Sequence, residues 1–201
     1  MRWWADTLLA LAGIRVEISG MQHVHPGEAS IYMANHTSIL DILVLISALP
    51  VDLRFIFKKS LLWAPVVGQA IYLMGMIPID RSGGNKAHES LKKAGLQIKK
   101  GKHILVFPEG TRTRTGRLAS FKKGGFILAL QQAIPIVPIS INNSRNLCGR
   151  NSIWAKKGTV SVFIHARVDT GNYRIANRNQ LVAEVRATIA SGLHETAQAA
   201  V

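Results

Sequence analysis

An imidazole, two hydroxyls and a carboxylate fall within seven residues at Asn35-His36-Thr37-Ser38-Ile39-Leu40-Asp41. A strand-like run (30–34) precedes them and a charge-free apolar run (42–49) follows, so both flanks expect burial. Buried polar groups cost free energy unless they are hydrogen-bonded or used. Two chemistries fit. In one, Thr37 or Ser38 caps a helix and Asp41 occupies its first turn, near the positive end of the helix dipole. In the other, His36 is a general base whose second ring nitrogen is held by Asp41, which fixes the tautomer and stabilises the imidazolium. The cap explains the hydroxyls and the carboxylate but not the histidine in front of them.

A second dense stretch is Phe107-Pro108-Glu109-Gly110-Thr111-Arg112, continuing through Arg114 and Arg117 with hydroxyls between the cations. Phe121-Lys122-Lys123-Gly124-Gly125 adds two ammonium groups before a helix start. Guanidinium forks, hydroxyls and glycine amides together suit a phosphate monoester. A solvated basic loop or a nucleic-acid patch are the alternatives. Against the latter, aromatic residues do not interleave with the charges as base stacking requires. The chain has no G-x-S-x-G element, so an alcohol acceptor would attack directly, without a serine nucleophile. The single Cys148 excludes an internal disulfide framework and reads as an incidental thiol in a polar run. His23 and His25 lack companions at ligand spacing, so no metal site and no bound cofactor are expected.

The formal net charge is +14, and 17 of the 25 Lys and Arg lie between Arg81 and Arg167, against only Glu89 and Glu109. Such a block calls for an anionic partner: nucleic acid, lipid headgroups or a phosphorylated substrate. Hydrophobic residues make up 48% and charged residues 18%, a balance that leans toward apolar surroundings. Residues 60–79 carry no charge over nearly a membrane-span length, but Pro65, Gly68, Gly75 and Pro78 cut them into shorter helices, a turn and a strand. At the N-terminus, Arg2, Trp3 and Trp4 precede a brief apolar run. This suits either a helix resting at headgroup level over residues 1–13 or an ordinary first helix with its indoles packed inward.

Periodicity supplies the elements that must position these groups. Strands are expected at 14–18, 30–34, 53–57, 103–107, 134–141 and 159–168, and the two prolines of the fifth suit an edge or a strand start. Helices are expected at 41–49, 86–100 (striped by Ala87, Leu91, Ala94 and Ile98), 126–133 and 181–193. Strands alternating with helices predict a single α/β domain over residues 1–201, with a mixed, mostly parallel sheet flanked by helices. Both dense stretches then leave strand ends, where ligands of such sheets bind.

The motifs resemble a known family. Asn35-His36 with Asp41 matches the NHxxxxD motif of the glycerolipid acyltransferases, the 1-acylglycerol-3-phosphate acyltransferases. Phe107 to Arg112 is similar to their FPEGTR motif, Gly75 to Arg81 to their second block, and Ile134-Pro135-Ile136-Val137-Pro138 to their fourth. The four occur in the family's order within residues 30–141. The resemblance implies acyl transfer from acyl-CoA or acyl-carrier protein to the sn-2 hydroxyl of 1-acylglycerol-3-phosphate, giving phosphatidate at the cytoplasmic face of a membrane. It implies His36 as base, Asp41 as its orienter, and Asn35, Arg81, Glu109, Gly110, Thr111 and Arg112, with Lys122 and Lys123, around the acceptor. Amides following Asn35 are expected to steady the oxyanion. Residues 60–79 would line an acyl slot or simply pack. Pro78 stands where the family pattern has a larger apolar residue, which predicts a displaced strand before Arg81. Two alternatives remain at this point: the same chemistry on another lyso-lipid, or a non-enzymatic protein that binds membranes or nucleic acid.

Overall fold

Alternation along the strands decides which helices cover which face. In β2 (Ile31–Ala34), Tyr32 and Ala34 face one way and Ile31 and Met33 the other, all four buried. Leu105 of β5 (His103–Val106) joins Tyr32 on the first face, while Ile104 and Val106 join Met33 on the second. The first face packs against α1 (Arg2–Leu11) and α2 (Leu40–Ala48) through Ala5, Leu9, Val44 and Leu45. The second packs against α4 (Gly84–Lys99), α5 (Gly124–Gln132) and α7 (Arg178–Ser191) through Ala94, Ile98, Phe126, Leu181, Val185 and Ile189. Burial on both faces explains why the central strands read as continuous apolar runs.

The computed structural model describes residues 2–63, 67–73, 75–79, 84–150, 152 and 154–194. The remaining strands are β1 (Ile14–Ser19), β3 (Leu53–Lys58), β4 (Ile77–Ile79), β6 (Ile136–Asn142) and β7 (Gly158–Ile164). All join one sheet in the order β1-β7-β6-β2-β5-β3-β4. Every pairing is parallel except β6 with β7. The uncharged region resolves into a 3-10 helix (Lys59–Trp63) and α3 (Val67–Leu73), and among the described residues no helix is long and apolar enough to cross a membrane. A short α6 (Ser144–Leu147) follows β6.

Two expectations about proline are corrected. β6 is not an edge strand but lies between β7 and β2, so only the strand-start alternative holds, for Pro135, which immediately precedes Ile136. Ile136 bridges Val168 whereas Ile139 pairs with Ile164, so the β7 side holds one extra residue. In that bulge the His165 N–H donates to the Pro138 carbonyl at 3.0 Å. Ile136 donates toward β7, and with a period of two Pro138 turns its nitrogen the same way, to the one place where no ladder donor is needed. The strand at Pro78 is not displaced. It pairs in register with β3, Phe57 opposite Pro78, at the outer edge of the sheet, where a missing N–H is harmless.

The connections put a crevice beside β2. α2 leads from β2 over one face to β3, while α5 leads from β5 over the other face to β6, on β2's opposite side. Crossovers that diverge in this way leave a gap at the carboxyl ends of the strands. The two chemistry-bearing stretches open into that gap.

Candidate active site

His36 leaves the carboxyl end of β2, and its Nδ1 lies 2.9 Å from Asp41 Oδ2. The same Oδ2 accepts the main-chain N–H groups of Thr37 at 2.7 Å and Ser38 at 2.8 Å. Asp41 is fully buried, and its Oδ1 has no partner. Oδ2 accepts two main-chain N–H groups and faces the ring as an acceptor too, so Nδ1 is the donor of this pair. That leaves Nε2 as the ring's acceptor, and among the described residues no protein group bonds to it. Phe107 stacks on the imidazole with centroids 4.0 Å apart and planes 17° apart.

The helix-cap expectation is corrected in its details. α2 begins at Leu40, and its N-cap position belongs to Ile39, which has no side-chain acceptor. Asp41 instead reaches backward from the first turn to collect the amides ahead of it. Ser38 Oγ accepts the Leu40 N–H at 3.2 Å and donates to the Cys148 carbonyl at 2.7 Å. Thr37 Oγ1 pairs with Ser144 Oγ at 2.9 Å. The amides of His36, Thr37 and Ser38 are engaged within the protein, which removes these three from the oxyanion donors expected at the helix start.

Asn35 and Glu109 also serve differently from the expectation of substrate contact. The Asn35 carboxamide is 3% exposed and forms a two-way clamp on Ile141 of β6, donating to its carbonyl at 2.9 Å and accepting its N–H at 2.7 Å. Glu109 is 4% exposed; its Oε1 accepts the His36 N–H at 2.8 Å and its Oε2 the Ala119 N–H at 2.9 Å. Burial pushes the Glu109 carboxyl above its usual range, and the two amides pull the other way. A buried carboxylate with both oxygens occupied is a poor phosphate contact. Both residues position the loop that carries His36.

Gly110, Thr111, Arg112 and Lys122 converge with His36 on one cleft of about 400 Å³, which Gly124 and Gly125 also line, whereas Lys123 is not among its lining residues. Arg112 is tethered by an Nη1 donation to the Arg150 carbonyl at 2.7 Å. Lys123 is the N-cap residue of α5, and no side chain caps that helix start. Such N-terminal N–H groups, with Arg112 and Lys122 lining the same cleft, have the chemistry that suits an anion. The lining is otherwise largely apolar, with Ile42, Phe55, Phe57, Leu61, Ile79 and Leu91, and Lys58 among them. Arg81 lies outside the described residues. Phe107, Thr113, Ser144 and Cys148 contribute to the site without having been assigned a role from the sequence. Phe107, inside the FPEGTR stretch, and Thr113, a hydroxyl between the cations that follow it, carried a signal; Ser144 carried none, and Cys148 read as an incidental thiol.

The family model described as Acyltransferase matches residues 15–142, which contain both stretches. The chain is 32% identical over 190 residues to a 1-acyl-sn-glycerol-3-phosphate acyltransferase of Cocos nucifera, covering 94% of this chain and 61% of that protein. It is 40% identical over 134 residues to 1-acyl-sn-glycerol-3-phosphate acyltransferase alpha of Ovis aries, covering 66% of this chain and 47% of that one. The chain thus spans about half the length of the curated relatives it matches. The crystal structure of the 1-acyl-sn-glycerophosphate (LPA) acyltransferase PlsC from Thermotoga maritima superimposes with a TM-score of 0.82 at 25% identity, over 95% of this chain and 76% of that one. With the family model spanning the histidine–aspartate pair and the basic loop together, the chain belongs to the acyltransferase family.

Proposed function

We propose that the protein transfers a fatty acyl group from the thioester of acyl-CoA or acyl-carrier protein to the sn-2 hydroxyl of 1-acylglycerol-3-phosphate, giving phosphatidate. The observation that carries this reading is the His36–Asp41 pair at 2.9 Å opening on a cleft lined by both cationic and apolar side chains. The names of the relatives support the acceptor, since those proteins are 1-acyl-sn-glycerol-3-phosphate acyltransferases.

Each feature then has a chemical task. His36 Nε2 accepts the proton of the acceptor hydroxyl as its oxygen bonds to the thioester carbon. Asp41 stabilises the imidazolium that results. When the tetrahedral adduct collapses, the carbon–sulfur bond breaks and the imidazolium returns its proton to the leaving thiolate. Arg112, Lys122 and the start of α5 hold the acceptor phosphate and so raise the effective concentration of the hydroxyl at His36. The apolar part of the lining takes an acyl chain, and the protein works at a membrane surface on the cytoplasmic side.

Purified protein assayed with a panel of lyso-lipids, and with acyl-CoA against acyl-carrier protein as donors, tests the reading. Preferred turnover of lysophosphatidate is expected, with Arg112→Ala raising the KM for this acceptor far more than that for the donor. Equal turnover of phosphate-free acceptors would overturn the acceptor assignment.

A further inference from the structure

The outer strands of the sheet, β1 and β4, end it in opposite ways. β4 has three residues, and Pro78 at its centre has no N–H to offer a neighbour. β1 has six residues, contains neither proline nor glycine, and pairs with β7 in unbroken one-to-one register from Ile14 to Ser19. A regular, bulge-free outer strand of this kind is a template for a further strand. Parallel pairing decides which of its groups point outward. The Gly158 N–H donates to the Gly13 carbonyl at 3.2 Å, so with a period of two Arg15 and Glu17 also turn their main-chain groups toward β7. Ile14, Val16 and Ile18 turn theirs to the outside, where nothing bonds to them among the described residues.

The side chains of β1 are sorted as cleanly. Ile14 is buried and Val16 half-buried on the face shared with α1, while Ile18, at the far end of that face, is 37% exposed. Arg15 and Glu17 stand exposed on the opposite face. Neither forms an ion pair or a side-chain hydrogen bond, among the described residues. α1 does not overhang this strand. It begins at Arg2 beside Pro50, Val51 and Leu53, packs Ala5 and Leu9 into the core, and leaves its indoles exposed rather than packed inward, Trp3 by 80% and Trp4 by 44%.

Ile14-Arg15-Val16-Glu17-Ile18 is complementary to itself when a second copy runs antiparallel. With Val16 facing its own counterpart on a two-fold axis, Ile14 meets Ile18 and Arg15 meets Glu17, each reciprocally. The outward groups of Ile14, Val16 and Ile18 then exchange both hydrogen bonds with their opposites. Arg15 and Glu17 fall on the non-hydrogen-bonded pairs, where side chains approach more closely. Sliding the pairing by two residues sets Arg15 against Arg15 or Glu17 against Glu17, and like charges directly opposite are destabilising. We propose that β1 is a dimer edge, along which two copies of the chain join antiparallel into one continuous sheet, with Val16 on the two-fold axis and reciprocal Arg15–Glu17 pairs fixing the register. The ion pairs are exposed and act on register more than on affinity. The main-chain bonds and the covering of Ile18 hold the copies together. The contact is smaller than a standard interface, so the dimer is expected to dissociate on dilution. β7 and β6 separate β1 from β2, which leaves each copy's cleft open and makes the dimer independent of the acyltransferase reading.

Sedimentation velocity of the full chain over a range of concentrations tests the proposal. A reversible equilibrium between monomer and dimer is expected. Arg15→Glu and Glu17→Arg should each weaken it roughly tenfold or more, because both reciprocal pairs become like-charged. The double variant should recover the dimer. So should an equimolar mixture of the two single variants, which sets two acidic positions against two basic ones. Val16→Pro removes the central outward N–H, a change that an outer strand tolerates, and should abolish the dimer while leaving the circular dichroism spectrum unchanged. A monomer at every concentration would overturn the proposal, whether or not the strand of some other protein adds to β1. A dimer that survives Val16→Pro, or that ignores the charges at positions 15 and 17, would overturn it equally, as would failure of both the double variant and the mixture to recover the dimer.

Discussion

The main-chain N–H of His36 donates to Glu109 Oε1 at 2.8 Å, and the main-chain carbonyl of His36 accepts the Thr113 N–H at 3.0 Å. The residue read as the base is thus held on both sides of its Cα by the loop that follows β5. Glu109→Gln replaces one acceptor oxygen by an amide nitrogen, which then faces either the His36 or the Ala119 N–H, donor against donor. A stability loss of about 1–3 kcal/mol is expected, with kcat reduced roughly a hundredfold by misplacement of His36. Thermal unfolding and steady-state kinetics check this. If only the acceptor KM changed, Glu109 would be a substrate contact after all.

The His36–Asp41 pair should act as one unit. His36→Ala is expected to lower kcat by roughly 10³-fold, and Asp41→Asn by two or more orders of magnitude through loss of the charge that orients and stabilises the ring. The double variant should be little worse than His36→Ala alone, because groups acting together are not additive. Measured with both acceptor and donor saturating, additive losses would show that Asp41 works apart from His36.

Most elements follow from apolar periodicity, because each helix and strand has a buried face. α7 shows this: Leu181, Val185 and Ile189 stand four apart and are all fully buried. The roles inside the site follow less well, since they depend on partners remote in the chain. Asn35 clamps a residue 106 positions away, and Glu109 holds one 73 positions away. Nothing local distinguishes a carboxylate that binds amides from one that binds substrate. Pro138 misled for the same reason: its tolerance inside the sheet comes from a bulge that only the partner strand reveals. Thr37 and Ser38 suggested a cap; Ser38 Oγ does receive the N–H of Leu40 at the start of α2, while Thr37 turns inward to Ser144 and Ser38 also donates to the Cys148 carbonyl.

Gly110 has φ +75°, and a Cβ built there would lie 2.9 Å from Lys122 Cε. Its N–H closes a tight turn onto the Phe107 carbonyl at 2.9 Å. Gly110→Ala therefore incurs a left-handed backbone penalty of about 1 kcal/mol or more and also displaces the Lys122 side chain from the cleft. A modest fall in Tm is expected alongside a several-fold rise in the KM for the phosphorylated acceptor. An unchanged KM would argue that Lys122 does not meet the phosphate.

Acid should destabilise the fold through two histidines outside the catalytic pair. Burial holds the pKa of His103 and of His165 below the usual histidine value; His23 nearby lowers His165 further, while the Pro26 carbonyl and Asp52 partly oppose the shift at His103. Ser140 Oγ gives its proton to the Ile189 carbonyl at 2.6 Å, so His165 Nε2 donates to that oxygen at 2.8 Å. His103 Nε2 donates to the Pro26 carbonyl, and its buried Nδ1 has no acceptor for a second proton. Groups depressed in the folded state bind protons more readily once unfolded. Their contribution to stability is therefore complete above an unfolded value of about 6.5 and is lost as pH falls through the lower folded values. Melting temperatures should hold steady above neutrality and decline on acidification before the carboxylates titrate near pH 4. His103→Gln, which removes one of the two titrations, should flatten that decline. An equally steep decline in this variant would move the acid sensitivity to other groups.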